Sequence, residues 1–301
     1  MSSSTLPRPA ENPSQDELAM LRAELDGLDD GLHDLLMRRA QVVARVAALR
    51  VKGAVPMRPG REAAIIRRLL ARHQGPLPAQ AVVRIWRELL AATTAMQGAT
   101  LISVCEADPA SGGPAGAMTG IAREHFGALT RMHVHRTPSQ ALRELAAGTA
   151  SAAVLPFPGD ADPAGTWWTA LLHREEPRIH IVARLPFWLP RPDGAPQADA
   201  LVATAAAPDP SGADRSLIGL EIEGEVSRTR LTAALAAAGL PPSTMILRRV
   251  AGAPVQLLIE TEGFVAEGDA RLAALGPIAA RPVLLGAYAI PVGPAAGEER
   301  R

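Results

Sequence analysis

The chain has 301 residues, enough for two or three domains with a sizeable core. Lys plus Arg and Asp plus Glu balance at 31 each, so nothing in the overall charge argues for nucleic acid or an anionic membrane surface as a partner, and any specific anion binding has to be local. Cys105 is the only cysteine, which excludes an intrachain disulfide and a cysteine-rich metal site and suits a reducing cytosol.

Residues 1–15 are rich in Ser and Pro without an apolar run and read as a floppy leader, not a signal peptide. No stretch approaches ~18 uninterrupted apolar residues, so no membrane span is expected. From Asp16 to Ala54 the chain reads as one amphipathic helix, with a seam of Leu18, Leu21, Leu25, Leu28, Leu32, Leu35, Val42, Val46 and Leu49. At 1.5 Å per residue it would be roughly 57 Å long, too long to be covered by its own short neighbours, so it needs a partner chain. The position skipped in the seam is Arg39. A guanidinium on a buried stripe costs several kcal/mol unless an anion meets it. Arg39 is therefore either a ligand clamp inside an interface or an Arg that snorkels out of a coiled-coil seam.

Gly53, Pro56, Pro59 and Gly60 end the first helix. A second helix follows from Arg61 to about His73 on an apolar face of Ala64, Ile65, Ile66, Leu69 and Leu70. Gly75-Pro76-Leu77-Pro78 forms a turn. A third helix runs from about Ala79 to Gln97, with Val82, Ile85, Trp86, Leu89 and Leu90 inward, so the first hundred residues read as one all-α unit. Beyond Leu101 short β-type runs alternate with helices: strands at 101–105, 131–135, 152–155 and 179–185, helices at 116–126, 139–147 and 164–172. A Pro- and Gly-rich linker holds a short strand at 201–204. Residues 216–292 then give the order βαββαβ of a ferredoxin-like sandwich.

The expected architecture is thus multidomain: leader 1–15, three-helix all-α domain 16–98, α/β lobe 99–190, linker with a short strand 191–215, βαββαβ domain 216–292 and tail 293–301.

Arg39 and Arg50 are eleven residues apart, only about 20° apart in azimuth on a helix, and can grip two ends of one small anion. Arg58, Arg61 and Glu62 follow at the start of the second helix, and Thr93 and Gln97 lie one turn apart on the third. Several guanidiniums with neutral donors and one carboxylate can bind a dicarboxylate and stabilise developing charge, but they offer no nucleophile.

The order Leu21-Arg22, Leu28-Asp29, Leu35-Leu36, Arg39, Arg58-Pro59-Gly60-Arg61-Glu62, Gly75-Pro76-Leu77-Pro78, Ile85-Trp86-Arg87-Glu88 and Gln97 resembles the all-helical (AroQ-class) chorismate mutase domain. The resemblance implies an intertwined homodimer without cofactor or metal that rearranges chorismate to prephenate in aromatic amino-acid biosynthesis. It gives Arg22 the place of the arginine donated by the partner subunit and Arg39 the grip on a substrate carboxylate. Arg58 and Arg61 add substrate binding, Glu62 bonds the substrate hydroxyl, and Thr93 and Gln97 stand at the hydroxyl and ether-oxygen positions. Arg50 replaces the lysine that usually gives the second donor to the ether oxygen, and Arg for Lys is not a neutral exchange at a crowded site.

Residues 101–190 resemble one lobe of prephenate dehydratase through Glu124-His125-Phe126-Gly127 and Ala153-Val154-Leu155-Pro156, and the last unit resembles an ACT regulatory domain through Leu284-Leu285-Gly286-Ala287-Tyr288. That family needs a Thr-Arg-Phe motif on a second lobe. Here the only Thr-Arg is Thr229-Arg230, followed by Leu231 inside a helix, and 185–201 is too short for a second lobe. The ACT likeness carries an aromatic amino-acid effector as an expectation, although Glu225-Val226-Ser227 and Leu247-Arg248-Arg249 depart from the phenylalanine-sensing loops.

The reading is a cytoplasmic dimeric mutase. Its rivals are a non-catalytic pseudo-mutase that binds or regulates, and a bifunctional mutase/dehydratase. Trp167-Trp168 reads as core packing, Cys105 as an inert buried thiol, His133 and His135 as sharing a strand face without a third metal ligand, and Arg87-Glu88 as an exposed charge pair.

Overall fold

The computed structural model describes residues 15–49, 57–98, 100–106, 115–159, 163–173, 175–224, 226–276, 278–279 and 281–294. The chain forms two compact units that divide between Lys52 and Gly53.

The first unit is α1 (Gln15–Ala48), which carries acidic residues in its first turn and Arg45 in its last, as the helix dipole favours. None of its residues is buried. The seam leucines are exposed, from 38% at Leu18 to 86% at Leu49. The expected extension of the helix to Ala54 lies outside the described residues.

In the second unit α2 (Pro59–Ala71) and α3 (Ala79–Ala95) pack on a sheet. There α2 and α3 bury Ala63, Ile66, Val83 and Leu90 against Phe187 and Ala289. That docking turns α3 so that Val82, Val83, Arg87, Leu90 and Thr93 face inward, while Ile85, expected inside, is 51% exposed. On α2, Ala64, expected on the apolar face, is exposed, and Ala63 is buried in its place.

Next come β1 (Leu101–Cys105), α4 (Ala117–Phe126), β2 (Arg131–His135), α5 (Pro138–Ala146), β3 (Ala152–Pro156), a 3-10 helix (Pro163–His173), β4 (His180–Leu185) and β5 (Ala200–Thr204). Thr137 and Gln140 cap α5 reciprocally. The Glu106 carboxylate accepts from the backbone of Met118 and Thr119 and so satisfies the free donors of α4. The strand expected inside a linker is in fact central. β5 is buried at all five residues and pairs antiparallel with both β3 and β4.

β6 (Asp214–Ile222), α6 (Arg228–Ala237), β7 (Pro242–Arg248), β8 (Val255–Glu262), α7 (Ala270–Ala273) and β9 (Val283–Ala289) complete the βαββαβ order. Their spatial order β9-β6-β8-β7 is that of the ferredoxin-like sandwich, and the whole sheet runs β2-β1-β3-β5-β4-β9-β6-β8-β7. Trp167 and Trp168 are buried in the core on one face, as expected, with the Trp167 indole N–H donating to Pro156 O at 2.8 Å. Cys105 is buried as well.

The two halves of the sheet meet where Ile181 of β4 pairs with Gly286 of β9. Gly286 has φ +146°, and a Cβ there would run into the backbone of Ile181. Beside this seam Glu260, 1% exposed, accepts from the Tyr288 hydroxyl and from Ser243, and pairs with Arg215 at 2.9 Å and Arg184 at 3.5 Å. Burial alone would raise the pKa of Glu260, but those hydrogen bonds and the two guanidiniums outweigh it and hold the group below the usual value.

Gly286→Val is expected to destabilise the second unit by roughly 3 kcal/mol or more, because the backbone of β4 cannot retreat without breaking the seam. Thermal unfolding followed by circular dichroism measures this, and a melting point unchanged from wild type would show that the close approach does not constrain the fold.

Candidate active site

The residues singled out from the sequence are distributed over both units. On α1, Arg22 is exposed and Arg39 is partly buried on its helix. Arg50 lies outside the described residues. The others belong to the second unit, where α2 and α3 lie side by side.

The start of α2 is held from a distance. Pro59 takes a first-turn position, where a missing N–H is no loss. The Asp209 carboxylate accepts from Gly60 N at 3.0 Å and Arg61 N at 3.1 Å, and also pairs with the Arg58 guanidinium at 3.3 Å. Gly60 permits this approach, since a Cβ would collide with the Asp209 carbonyl. Arg67 adds a second tether through Ser211, Ala213 and Ile290, with Nη2 donating to Ile290 O at 2.6 Å. Arg58 is thus engaged at Asp209, and the Arg61 side chain points to solvent.

Glu62 pairs with Arg87 across the two helices, Nη1 to Oε2 at 3.2 Å. Arg87 and Glu88 are not the exposed pair expected. Arg87 is 3% exposed, with its guanidinium 4.4 Å from the centre of the Phe187 ring, and Glu88 accepts from Ala128 N at 2.9 Å. Burial lowers the Arg87 pKa to about 10 although Glu62 opposes the shift, so the group stays charged at neutral pH. Thr93 is buried and its hydroxyl donates to Leu89 O at 2.8 Å on its own helix. Gln97 Nε2 donates to Thr93 O at 3.0 Å, which leaves Oε1 buried without a hydrogen bond. Thr93 near the end of α3 and Gln97 in the turn that follows it therefore do come together, one turn apart as their spacing predicts.

Three participants are not among the expected site residues. Arg87 was detectable, for it stands four residues after Val83 and three before Leu90, on the apolar stripe of its helix. His125 ends α4 beside Arg87 and is 7% exposed. Asp209 is 149 residues from Gly60, and no local pattern announces it.

On the opposite part of the sheet, His133 Nδ1 and His135 Nε2 lie 3.1 and 3.0 Å from the two oxygens of Glu144, which also accepts from the Ser103 hydroxyl. The Ser103 bond first and the His135 contact second bring the Glu144 pKa down to about 2. Among the described residues no group of three or more His, Cys, Asp or Glu is placed to hold a metal, and no helix is long and apolar enough to cross a membrane.

His125 is held neutral at pH 7, by burial first and by the charge of Arg87 second, both of which push its pKa well below the ordinary value. The unfolded chain binds this proton more readily, so the stability His125 contributes is complete above about pH 6.5 and is lost as pH falls below it. Its ring protons, followed by NMR, are expected to show no titration step at the ordinary histidine value. A full titration step centred near 6.5 would contradict the buried neutral imidazole.

Residues 21–98 match the family model for chorismate mutase type II. A bifunctional chorismate mutase/prephenate dehydratase of Pseudomonas aeruginosa is 30% identical over 149 residues, 47% of this chain and 39% of that protein. One of the same description from Neisseria gonorrhoeae is 35% identical over 107 residues, 35% of this chain and 27% of that protein. The chain thus spans well under half the length of these curated relatives. A crystal structure of prephenate dehydratase in complex with L-Phe from Arthrobacter aurescens superposes with a TM-score of 0.46 at 14% identity, over 63% of this chain and 90% of that one. The stretch 21–98, which supplies α1 to one unit and α2 and α3 to the other, is thus similar to the chorismate mutase type II family.

Proposed function

We propose that the chain is a chorismate mutase that works as a homodimer. The observation that supports this is the family match over 21–98, the stretch that contains Arg22, Arg39, Arg50, Arg58, Arg61, Glu62, Thr93 and Gln97, the residues singled out by the resemblance. The chemistry suits those residue types. Chorismate is a dianion whose rearrangement breaks one C–O bond and forms one C–C bond in a concerted shift, with no proton to move. The protein has to hold a compact conformer and stabilise negative charge growing on the ether oxygen. Arginines serve the carboxylates, with Arg39 and Arg22 as the main grips, and Arg58 and Arg61 contribute from the start of α2.

Gln97 and Arg50 donate to the ether oxygen, and Glu62 accepts from the substrate hydroxyl. Gln97 carries an amide that is neutral at any ordinary pH, so no titration limits it. The uncovered leucine stripe of α1 supports the dimer, since Leu25, Leu28, Leu32 and Leu35 are each more than half exposed in one chain. A second copy presents the same stripe, which self-complementary pairing requires. An aromatic amino acid is the effector proposed for the βαββαβ unit, and an unchanged rate in excess phenylalanine would remove it.

Chorismate loss followed by ultraviolet absorbance tests the proposal. Wild type is expected to consume chorismate rapidly, with a flat rate between about pH 6 and 8. Glu62→Gln and Gln97→Ala are each expected to lose at least ~10²-fold in kcat. Consumption no faster than the uncatalysed reaction, with the protein folded and dimeric, would leave the binding or regulatory protein as the better account. A second reading, the bifunctional enzyme, is favoured by the names of the curated relatives. Formation of phenylpyruvate would be needed to establish it.

A further inference from the structure

The two members of the Glu62–Arg87 pair differ in their access to solvent. As side chains Glu62 is 16% exposed and Arg87 only 4%, so of the two it is Glu62 that keeps an appreciable solvent-facing part. Arg87 is thus placed to act on a ligand through Glu62, whose Oε2 its Nη1 reaches at 3.2 Å.

Stability does not account for a guanidinium at this position. Arg87 falls on the inward stripe of α3 with Val83 and Leu90, where an apolar side chain would pack against Phe187. Desolvation cancels most of the attraction in a buried ion pair, and apolar replacements of similar volume are often as stable or more so. What an arginine adds there is a fixed positive charge. A cation at hydrogen-bond distance favours the ionised form of a carboxylate, and an ionised carboxylate only accepts, which is what a substrate hydroxyl requires of Glu62.

Both ends of the contact are anchored. Glu62 N donates to Arg58 O at 3.0 Å in the first turn of α2, whose head is held by Asp209. The Arg87 guanidinium lies 4.4 Å from the centre of the Phe187 ring. Phe187 is fixed in turn, since its carbonyl accepts from Val292 N at 2.8 Å and Leu189 N donates to Val292 O at 2.8 Å. The chain of support runs from the segment after β9 through Phe187 and Arg87 to Glu62.

We propose that Arg87 is a positioning residue of the mutase reaction: it holds the Glu62 carboxylate ionised and in one orientation, ready to accept from the substrate hydroxyl, with the Phe187 ring behind it. This rests on the mutase reading and adds to it a residue to which the resemblance gives no role.

Steady-state turnover of chorismate by the full-length protein tests this in a double-mutant cycle. Arg87→Met keeps the apolar stem, and it is expected to lower kcat about tenfold while KM changes by less than about twofold. On Glu62→Gln the same change is expected to cost less than about twofold, because the group through which Arg87 acts is already gone. On Gln97→Ala it is expected to cost the full factor of about ten. Arg87→Lys is expected to recover most of the loss, since a contact made through one nitrogen can be served by a point charge. Should Arg87→Met fail to fold, Phe187→Leu takes its place, with an expected loss of about threefold in kcat that also vanishes on Glu62→Gln.

A loss of equal size on wild type and on Glu62→Gln would overturn the proposal, because a structural fault is felt whatever stands at position 62. An unchanged kcat in Arg87→Met, a loss confined to KM, or an Arg87→Lys variant no better than Arg87→Met would overturn it as well. Absence of turnover by folded wild type would defeat the mutase reading and this inference with it, an outcome distinct from an additive cycle measured on an active enzyme.

Discussion

A guanidinium shut away from water fixes how the helical pair sits on the sheet. Arg87 would be prohibitive alone inside the second unit, because a buried charge without partners costs several kcal/mol. It is accepted because Glu62 supplies the opposite charge from α2 and the face of Phe187 supplies a cation–π contact from the loop after β4. Each partner comes from a different element, so placing Arg87 also places α2, α3 and that loop relative to one another. The same arrangement orients Glu62, the one carboxylate among the proposed site residues, and keeps His125 neutral.

A similar logic operates at the sheet seam. Within the strands only Ile181 and Gly286 are paired across the β4–β9 boundary, with backbone bonds from Val292 to Phe187 and from Leu189 to Val292 just beyond it, so the boundary would be weak if it depended on ladder hydrogen bonds alone. Glu260 strengthens it from β8 by reaching Arg184 on β4, Arg215 on β6 and Tyr288 on β9. Arg184 in turn forks onto Asp199 and stacks over Phe157. Every charge in this network has a partner, which is the condition under which buried polar groups specify a fold instead of loosening it.

The first unit poses the opposite problem. α1 has a well-marked apolar stripe whose leucines are exposed. An isolated helix owes little of its stability to propensity and most of it to packing of its apolar face. A helix 34 residues long with its leucines exposed is therefore half of a structure, and in the proposed dimer the covering half is another copy of itself.

The sequence alone determined the elements. Periodicity placed nearly every strand and helix of the second unit within a residue or two, and it found the βαββαβ order, the buried tryptophans and the Thr93/Gln97 face. These are consequences of spacing along a regular backbone, which a single chain displays without its neighbours. The resemblance carried by Arg39, Arg61, Glu62 and Gln97 was legible for the same reason, as fixed offsets on helices.

Tertiary structure decided everything that depends on contacts between distant segments. It made β5 a central strand instead of part of a linker, because its pairing partners lie on β3 and β4. It moved Arg87 inside, because the sheet turned α3 by a fraction of a turn, and it brought Asp209 to the head of α2 across 149 residues. A side chain's environment is set by what packs against it, and local sequence carries no record of partners that far away.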